Sequence, residues 1–297
     1  MRKLTYLSIL SGFVFMVSCS IFNPYSKLRS EADESYQEGR LNESMELYEQ
    51  IIEAQEEKNR KIDTSLYISA GKVAYELEQT NKTIEYLEIA RINSKILDEE
   101  SLIALIKTYH EIDNLSLEIR RMEDYIDNYP NGKYIVEIKK RYFLALAESK
   151  SWEQAYEFWP ELEGDPLEDE SLTEAYFSVN NALENNEKTA ELAKRLLELN
   201  KTNKAALEWH AKKYYYRAAE RYKRETQAYE KNRTNKQYAK LLDAWGVIHD
   251  DFRKARDYFE LLYKNYPESE YANFLANIYE RLNNDSKARY YKQRAND

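Results

Sequence analysis

The chain has 297 residues, with 44 Lys and Arg against 53 Asp and Glu and a formal net charge of −9. One residue in three is charged and there are six glycines and five prolines, so turn-forming material is scarce and helix is favoured throughout. The acidic balance argues against general nucleic-acid binding, which needs a basic footprint.

In chain order, the first feature is Arg2-Lys3 followed by an apolar run of 14 residues from Leu4 to Val17. A spanning helix needs about 20. A basic start, a short apolar stretch and small residues at the end describe a secretory signal over residues 1–18. Met16-Val17-Ser18-Cys19 resembles a bacterial lipobox, whose cleavage leaves the cysteine as a lipid-bearing N-terminus. Cys19 is the only cysteine, so it is the expected lipidation site, with residues 19–27 as the lipidated linker. Several acyl chains hold firmly where one does not. Ser20 differs from the aspartate that retains some lipoproteins in the inner membrane. The periplasmic side of the outer membrane is therefore the expected location, ahead of the inner membrane. Loss of residues 1–18 removes Arg2 and Lys3 and takes the net charge from −9 to −11. No disulfide can form within such a chain, and stability must come from packing.

From residue 28 onward a spaced pattern recurs. In LNESMELYEQII, Ser44, Tyr48 and Ile51 are four and then three residues apart. The same slots are filled by Thr83, Leu87 and Ala90, by Glu118, Met122 and Tyr125, and by Ala155, Trp159 and Leu162. They return as Thr189, Ala193 and Leu196, as Ala255, Phe259 and Leu262, and as Ala288, Lys292 and Ala295. Successive first members are 39, 35, 37, 34, 66 and 33 residues apart. A small residue one turn before a bulky one lets a second helix lie close while the bulky residue fills the next gap. Tyr67 and Gly71 precede Thr83, Leu102 and Tyr109 precede Glu118, and Leu275 and Tyr279 precede Ala288, where a first helix of each pair belongs. Asn-Tyr-Pro at Pro130 and Pro267 marks helix ends.

On these residues the chain resembles the tetratricopeptide-repeat family, whose motif runs W-x₂-L-G-x₂-Y…A-x₃-F…P. YISAGKVAYELEQTNKTIEYLEIA is the best single unit, and Glu118 and Lys292 depart from the pattern. The resemblance implies an all-α, right-handed helical solenoid whose concave face holds peptides or protein segments without catalysis. Repeats are expected over 28–203, and a capping unit over 267–297.

Between these lies a stretch of different character. Lys204 to Lys231 contains no Gly, Pro, Asn, Asp or Ser, so a single helix of roughly 42 Å is expected. Asn232-Arg-Thr-Asn235 offers a turn. Tyr238, Leu241, Trp245, Ile248, Phe252, Ala255, Phe259, Leu262 and Tyr266 then alternate steps of three and four, an unbroken seam of period 3.5. The doubled spacing of 66 therefore predicts one extended helical hairpin over 204–266. Of the consecutive rings Tyr214-Tyr215-Tyr216, about 100° apart on a helix, at least one must face solvent.

Charge is uneven as well. Residues 31–100 carry a net −10 and residues 201–240 a net +8. Lys212, Lys213, Arg217, Arg221, Lys223 and Arg224 are the candidate docking residues for an acidic partner. Read as solvated charges, Arg217, Arg221 and Arg224 are expected to tolerate reversal without loss of stability.

Chemical motifs are missing. His110, His210 and His249 lie far apart, and no HExxH, GxSxG, P-loop or dinucleotide fingerprint occurs. No metal site, cofactor, small-molecule substrate or catalytic residue is expected. The sequence thus describes a lipid-anchored, non-catalytic scaffold with protein partners in the cell envelope. The alternative is a surface or periplasmic glycan-binding lipoprotein, for which the chain is short and poor in loops.

Overall fold

The computed structural model describes residues 25–58, 62–94 and 96–296; the signal segment, Cys19 and the rest of the linker up to residue 24 lie outside the described residues. The chain divides into two compact units, Met1–Arg121 and Met122–Asp297. Among the described residues there is no strand, and no helix is long and apolar enough to cross a membrane.

The first unit contains α1 (Ser26–Gln37), α2 (Leu41–Glu56), α3 (Thr64–Glu76), α4 (Thr80–Ser94) and α5 (Glu99–Glu111), and α6 (Leu115–Asn128) begins there. The second contains α7 (Ile135–Glu148), α8 (Trp152–Phe158), two 3₁₀ turns at Trp159–Glu161 and Pro166–Glu168, α9 (Glu170–Ala182) and α10 (Asn186–Leu199). It ends with α11 (Lys204–Lys231), α12 (Asn235–Asn265), α13 (Ser269–Arg281) and α14 (Asp285–Arg294). The fold is all-α, with successive helices packed in pairs and one extended helical hairpin formed by α11 and α12.

One turn recurs at the centre of the helix pairs. Gly39, Glu78, Asp113, Lys150, Glu184 and Asn283 all have positive φ, between 56° and 75°. Each stands five residues before a slot residue of the repeat. The next amide closes the turn in the same way each time, as in Gln79 N to Ala74 O and Asn185 N to Asn180 O, both 2.9 Å. This left-handed closure satisfies the last carbonyls of the first helix. Only the first of the six positions is glycine, so the turns are invisible to a search for glycine.

Five residues on, the slot faces the partner helix. Ser44, Thr83, Glu118, Ala155, Thr189, Ala255 and Ala288 are each at most 5% exposed. Two of the polar ones bond to backbone carbonyls: Ser44 Oγ donates across the pair to Ala32 O of α1 (2.9 Å), and Thr189 Oγ1 donates to Asn185 O one turn back (2.9 Å). Glu118 keeps the buried position although it is neither small nor apolar. Its carboxylate lies 3.2 Å from Nδ1 of the exposed His110. Lys292 is exposed, so the last unit closes the array with an open slot.

Gly71 shows how close the helices come. A Cβ built there would sit 2.5 Å from Leu87 Cδ2 and 2.6 Å from Leu87 Cγ, and Leu87 is fully buried. Gly71→Leu should therefore overpack the α3–α4 pair and lower stability by about 1–3 kcal/mol. Denaturant unfolding checks this, and Leu87→Ala added to the same chain should restore part of the loss.

The hairpin seam departs from its expected course. Ile248, Phe252, Ala255, Phe259 and Leu262 are buried against α11 and α13, but Tyr238 and Trp245 are exposed. A straight α-helix drifts about 20° per heptad against a period of 3.5. Over the length of α12 that drift carries these two side chains off the contact line. Leu241, on the trailing edge of the same stripe, stays buried.

Much of the cross-helix polar bonding runs from tyrosine to carboxylate. Tyr67 donates to Glu56 (3.2 Å), Tyr86 to Glu49 (3.1 Å), Tyr109 to Glu88 (3.0 Å) and Tyr142 to Glu123 (3.0 Å). Tyr279 donates to Glu260, and Tyr271 to Glu208. Burial, with the facing carboxylate, raises each phenol above its ordinary value of 10.0, to about 12 at Tyr67 and Tyr279. The folded phenols hold their protons more tightly than the unfolded ones. Their contribution is whole below pH 10 and is lost as pH rises toward 12 and beyond. In an alkaline titration, loss of helical circular dichroism should accompany phenolate absorbance. Titration of these six phenols near pH 10 with the helices intact would contradict this account.

Candidate functional site

The base of α11 is pinned on three sides. Asn203 caps it, accepting from Ala206 N at 3.0 Å, and its amide donates to Glu170 (3.0 Å) and Glu174 (2.6 Å) on α9. Lys204 pairs with Glu268 at 2.7 Å and Tyr266 donates to Thr202 O at 3.0 Å. Tyr271 of α13 holds Glu208.

With its base so placed, α11 forms one wall of a groove of about 590 Å³ against α9 and the start of α10. Phe177, Trp209 and Tyr216 give the groove apolar surface, Asn181 and Asn186 stand on the α9–α10 side, and Lys212 and Lys213 stand on α11. Lys213 Nζ lies 4.2 Å from the centre of the Trp209 ring, an attraction to the negative face of the indole. Lys212 is held by Glu270 (3.1 Å) and more loosely by Glu208 (3.8 Å). Tyr216 is 50% exposed, which fulfils the expectation of one solvent-facing ring in Tyr214-Tyr215-Tyr216. On the far side of α11, His210 stacks on Tyr258 (5.0 Å). Burial, helped by Lys213, lowers its pKa and keeps it neutral at pH 7.

The six cations singled out on α11 do not share one face. Trp209, Lys212, Tyr216 and Lys223 follow one another in steps of three, four and seven, along a single side of the helix. Lys223 lines a second recess of about 390 Å³ with Tyr215, Tyr222, Phe252 and Arg281. Arg217, Arg221 and Arg224 form a different stripe. Arg224 lies 3.0 Å from its neighbour Glu225, and Arg221 is half-buried.

Arg217 is not a solvated charge. It forms a two-pronged ion pair with Asp251 of α12, Nε to Oδ2 at 2.7 Å and Nη2 to Oδ1, and the Asp251 side chain is 4% exposed. The expectation that Arg217 tolerates reversal is thereby corrected: Arg217 neutralises a buried carboxylate in the hairpin seam. Arg217→Glu should lower stability by roughly 2 kcal/mol, short of the 3–5 kcal/mol for a wholly buried pair because the guanidinium is half in water. Arg221→Glu and Arg224→Glu should each stay within about 0.5 kcal/mol, as read by urea unfolding.

Sequence reasoning missed Asp251 and the groove itself. His249-Asp250-Asp251 reads as three hydrophilic residues, and a signal for the buried one was its position four residues before Ala255 on the seam. Trp209 and Asn181 are separated by the whole of α10, and only the packed chain brings them together.

No protein-family model matches the chain, and no curated protein sequence matches it. Among solved structures it is similar to a "putative protein binding protein" from Bacteroides ovatus, with 18% identity and a TM-score of 0.52, over 75% of this chain and 98% of that one. It is also similar to a tetratricopeptide repeat protein from Parabacteroides merdae, with 11% identity and a TM-score of 0.39, over 92% of each chain. At this identity the first likeness shows the fold, which is that of the helical-repeat proteins.

Proposed function

We propose that the protein is a non-catalytic scaffold anchored through a lipid on Cys19, which captures an acidic protein segment in the groove between α9 and α11. The observation that carries this reading is the groove at Trp209. It offers an aromatic surface, two lysines and two exposed amides, with Glu208 beside Lys212. An apolar anchor in such a groove supplies affinity, and the lysines favour carboxylates and speed encounter. The lipobox-like run ending at Cys19 supports a place at the bacterial cell envelope, and Ser20 favours the outer membrane.

The test uses the full chain and a labelled acidic peptide containing one phenylalanine. Trp209→Ala and Lys213→Glu should each weaken binding about tenfold or more, and added salt should weaken it further. Lys264→Glu, an equal change of charge on the exposed end of α12, should leave it nearly unchanged. Equal binding by all three variants would refute the groove. Separately, Cys19→Ser should move the protein from the membrane to the soluble fraction, and an unmodified mass of the membrane-extracted protein would refute the anchor.

A further inference from the structure

The outer half of the hairpin is built differently from its base. Between residues 219 and 247, Leu241 is the one described side chain that is buried. Arg281 of α13 reaches as far as the Tyr222 ring, at 4.5 Å. Beyond that contact α11 runs nine residues further to Lys231, about 14 Å at 1.5 Å per residue. This tip leaves apolar surface in water: Tyr238 is 48% exposed, Leu242 50% and Trp245 39%. Steps of four and three place the three on one side of α12, and Tyr229 of α11 adds a ring 5.6 Å from Tyr238. Lys236 and Lys240 stand around the opposite side of the same turns. Residues 221–245 carry a net +4 in a chain of net −9.

We propose that this tip docks on an anionic phospholipid bilayer, with Tyr238, Leu242 and Trp245 entering the headgroup boundary. A helix with Trp, Tyr and Leu on one side and Lys on the other lies in the plane of such an interface. Long lysine stems reach back to the headgroups, and the negative surface potential attracts them. Charge complementarity selects the surface, because the tip is cationic while the chain as a whole is repelled. The contact is separate from the anchor at Cys19 and from the groove at Trp209.

The test uses the full chain with Cys19→Ser and Ala239→Cys, carrying an environment-sensitive dye at position 239. A second protein carries the dye at position 277 through Asn277→Cys, on the exposed side of α13. Vesicles of equimolar phosphatidylglycerol and phosphatidylcholine should shift the emission at 239 to the blue and leave that at 277 unchanged. Pure phosphatidylcholine should shift neither. Lys236→Glu with Lys240→Glu should weaken the partition about tenfold or more. Tyr238→Ser, Leu242→Ser and Trp245→Ser together should abolish the shift while helical circular dichroism is kept. No shift at 239 with anionic vesicles would overturn the proposal and leave the stripe to a protein partner. An equal shift on neutral vesicles, or at both positions, would overturn it as well.

Discussion

The structure depends on how near two helices of a pair can lie. At Gly71 the backbone of α3 approaches Leu87 so closely that even a Cβ is excluded. The slots on the second helices reach the same end with serine, threonine or alanine, and Glu118 is the one exception. The left-handed turn five residues earlier sets the direction from which the second helix returns, and so decides which residue meets the first helix. Shifting the register by one residue would turn Tyr48, Leu87 and Phe259 away from their contacts by about 100°. Close packing of this kind is what lets a chain without an internal disulfide hold a stack of short helices, each marginal alone in water.

The long hairpin is the exception that the same rules permit. Its slot at Ala255 is kept, but no turn precedes it, because residue 250 is inside α12. The pairing therefore runs on for several more turns, and the period of the seam then matters. Near the base, α13 and the aromatic cluster of Phe252, Phe259 and Phe274 hold the helices in contact. Toward the tip the pair is held by the buried Leu241 and by the Tyr229–Tyr238 ring contact. The drift of a straight helix then exposes Tyr238 and Trp245. Along α11, one side meets α12 through Ala211, Ala218 and the Arg217–Asp251 pair. The other side carries Trp209, Lys212 and Tyr216 into the groove. A single uninterrupted helix thus serves both stability and recognition.

The repeat register, the hairpin and its turn were legible because they rest on residue size and helix-breaking chemistry, which are local. Ser44, Thr83 and Ala255 could be placed without a structure. The five non-glycine turns were not legible, since Glu78 or Lys150 in a left-handed conformation leaves no mark in composition. Asp251 was misleading for a related reason. Acidic residues on helices are nearly always solvated, and its burial depends on a partner 34 positions away. The groove needed three helices to be packed before Phe177, Asn186 and Trp209 became neighbours. Charge alone pointed to α11 but could not say which of its sides faces the partner.

The central claim is that the groove side of α11 meets a protein partner and that other exposed surfaces of the hairpin do not. Photo-crosslinking in the cells that make the protein tests it most directly, with a photoreactive residue at position 216 in the groove or at position 261 on α12. Tyr216 and Leu261 are comparably exposed, at 50% and 42%, so exposure alone does not separate them. The account predicts discrete protein adducts from position 216 and none from position 261. Adducts in equal yield from both positions, or from position 261 alone, would contradict it.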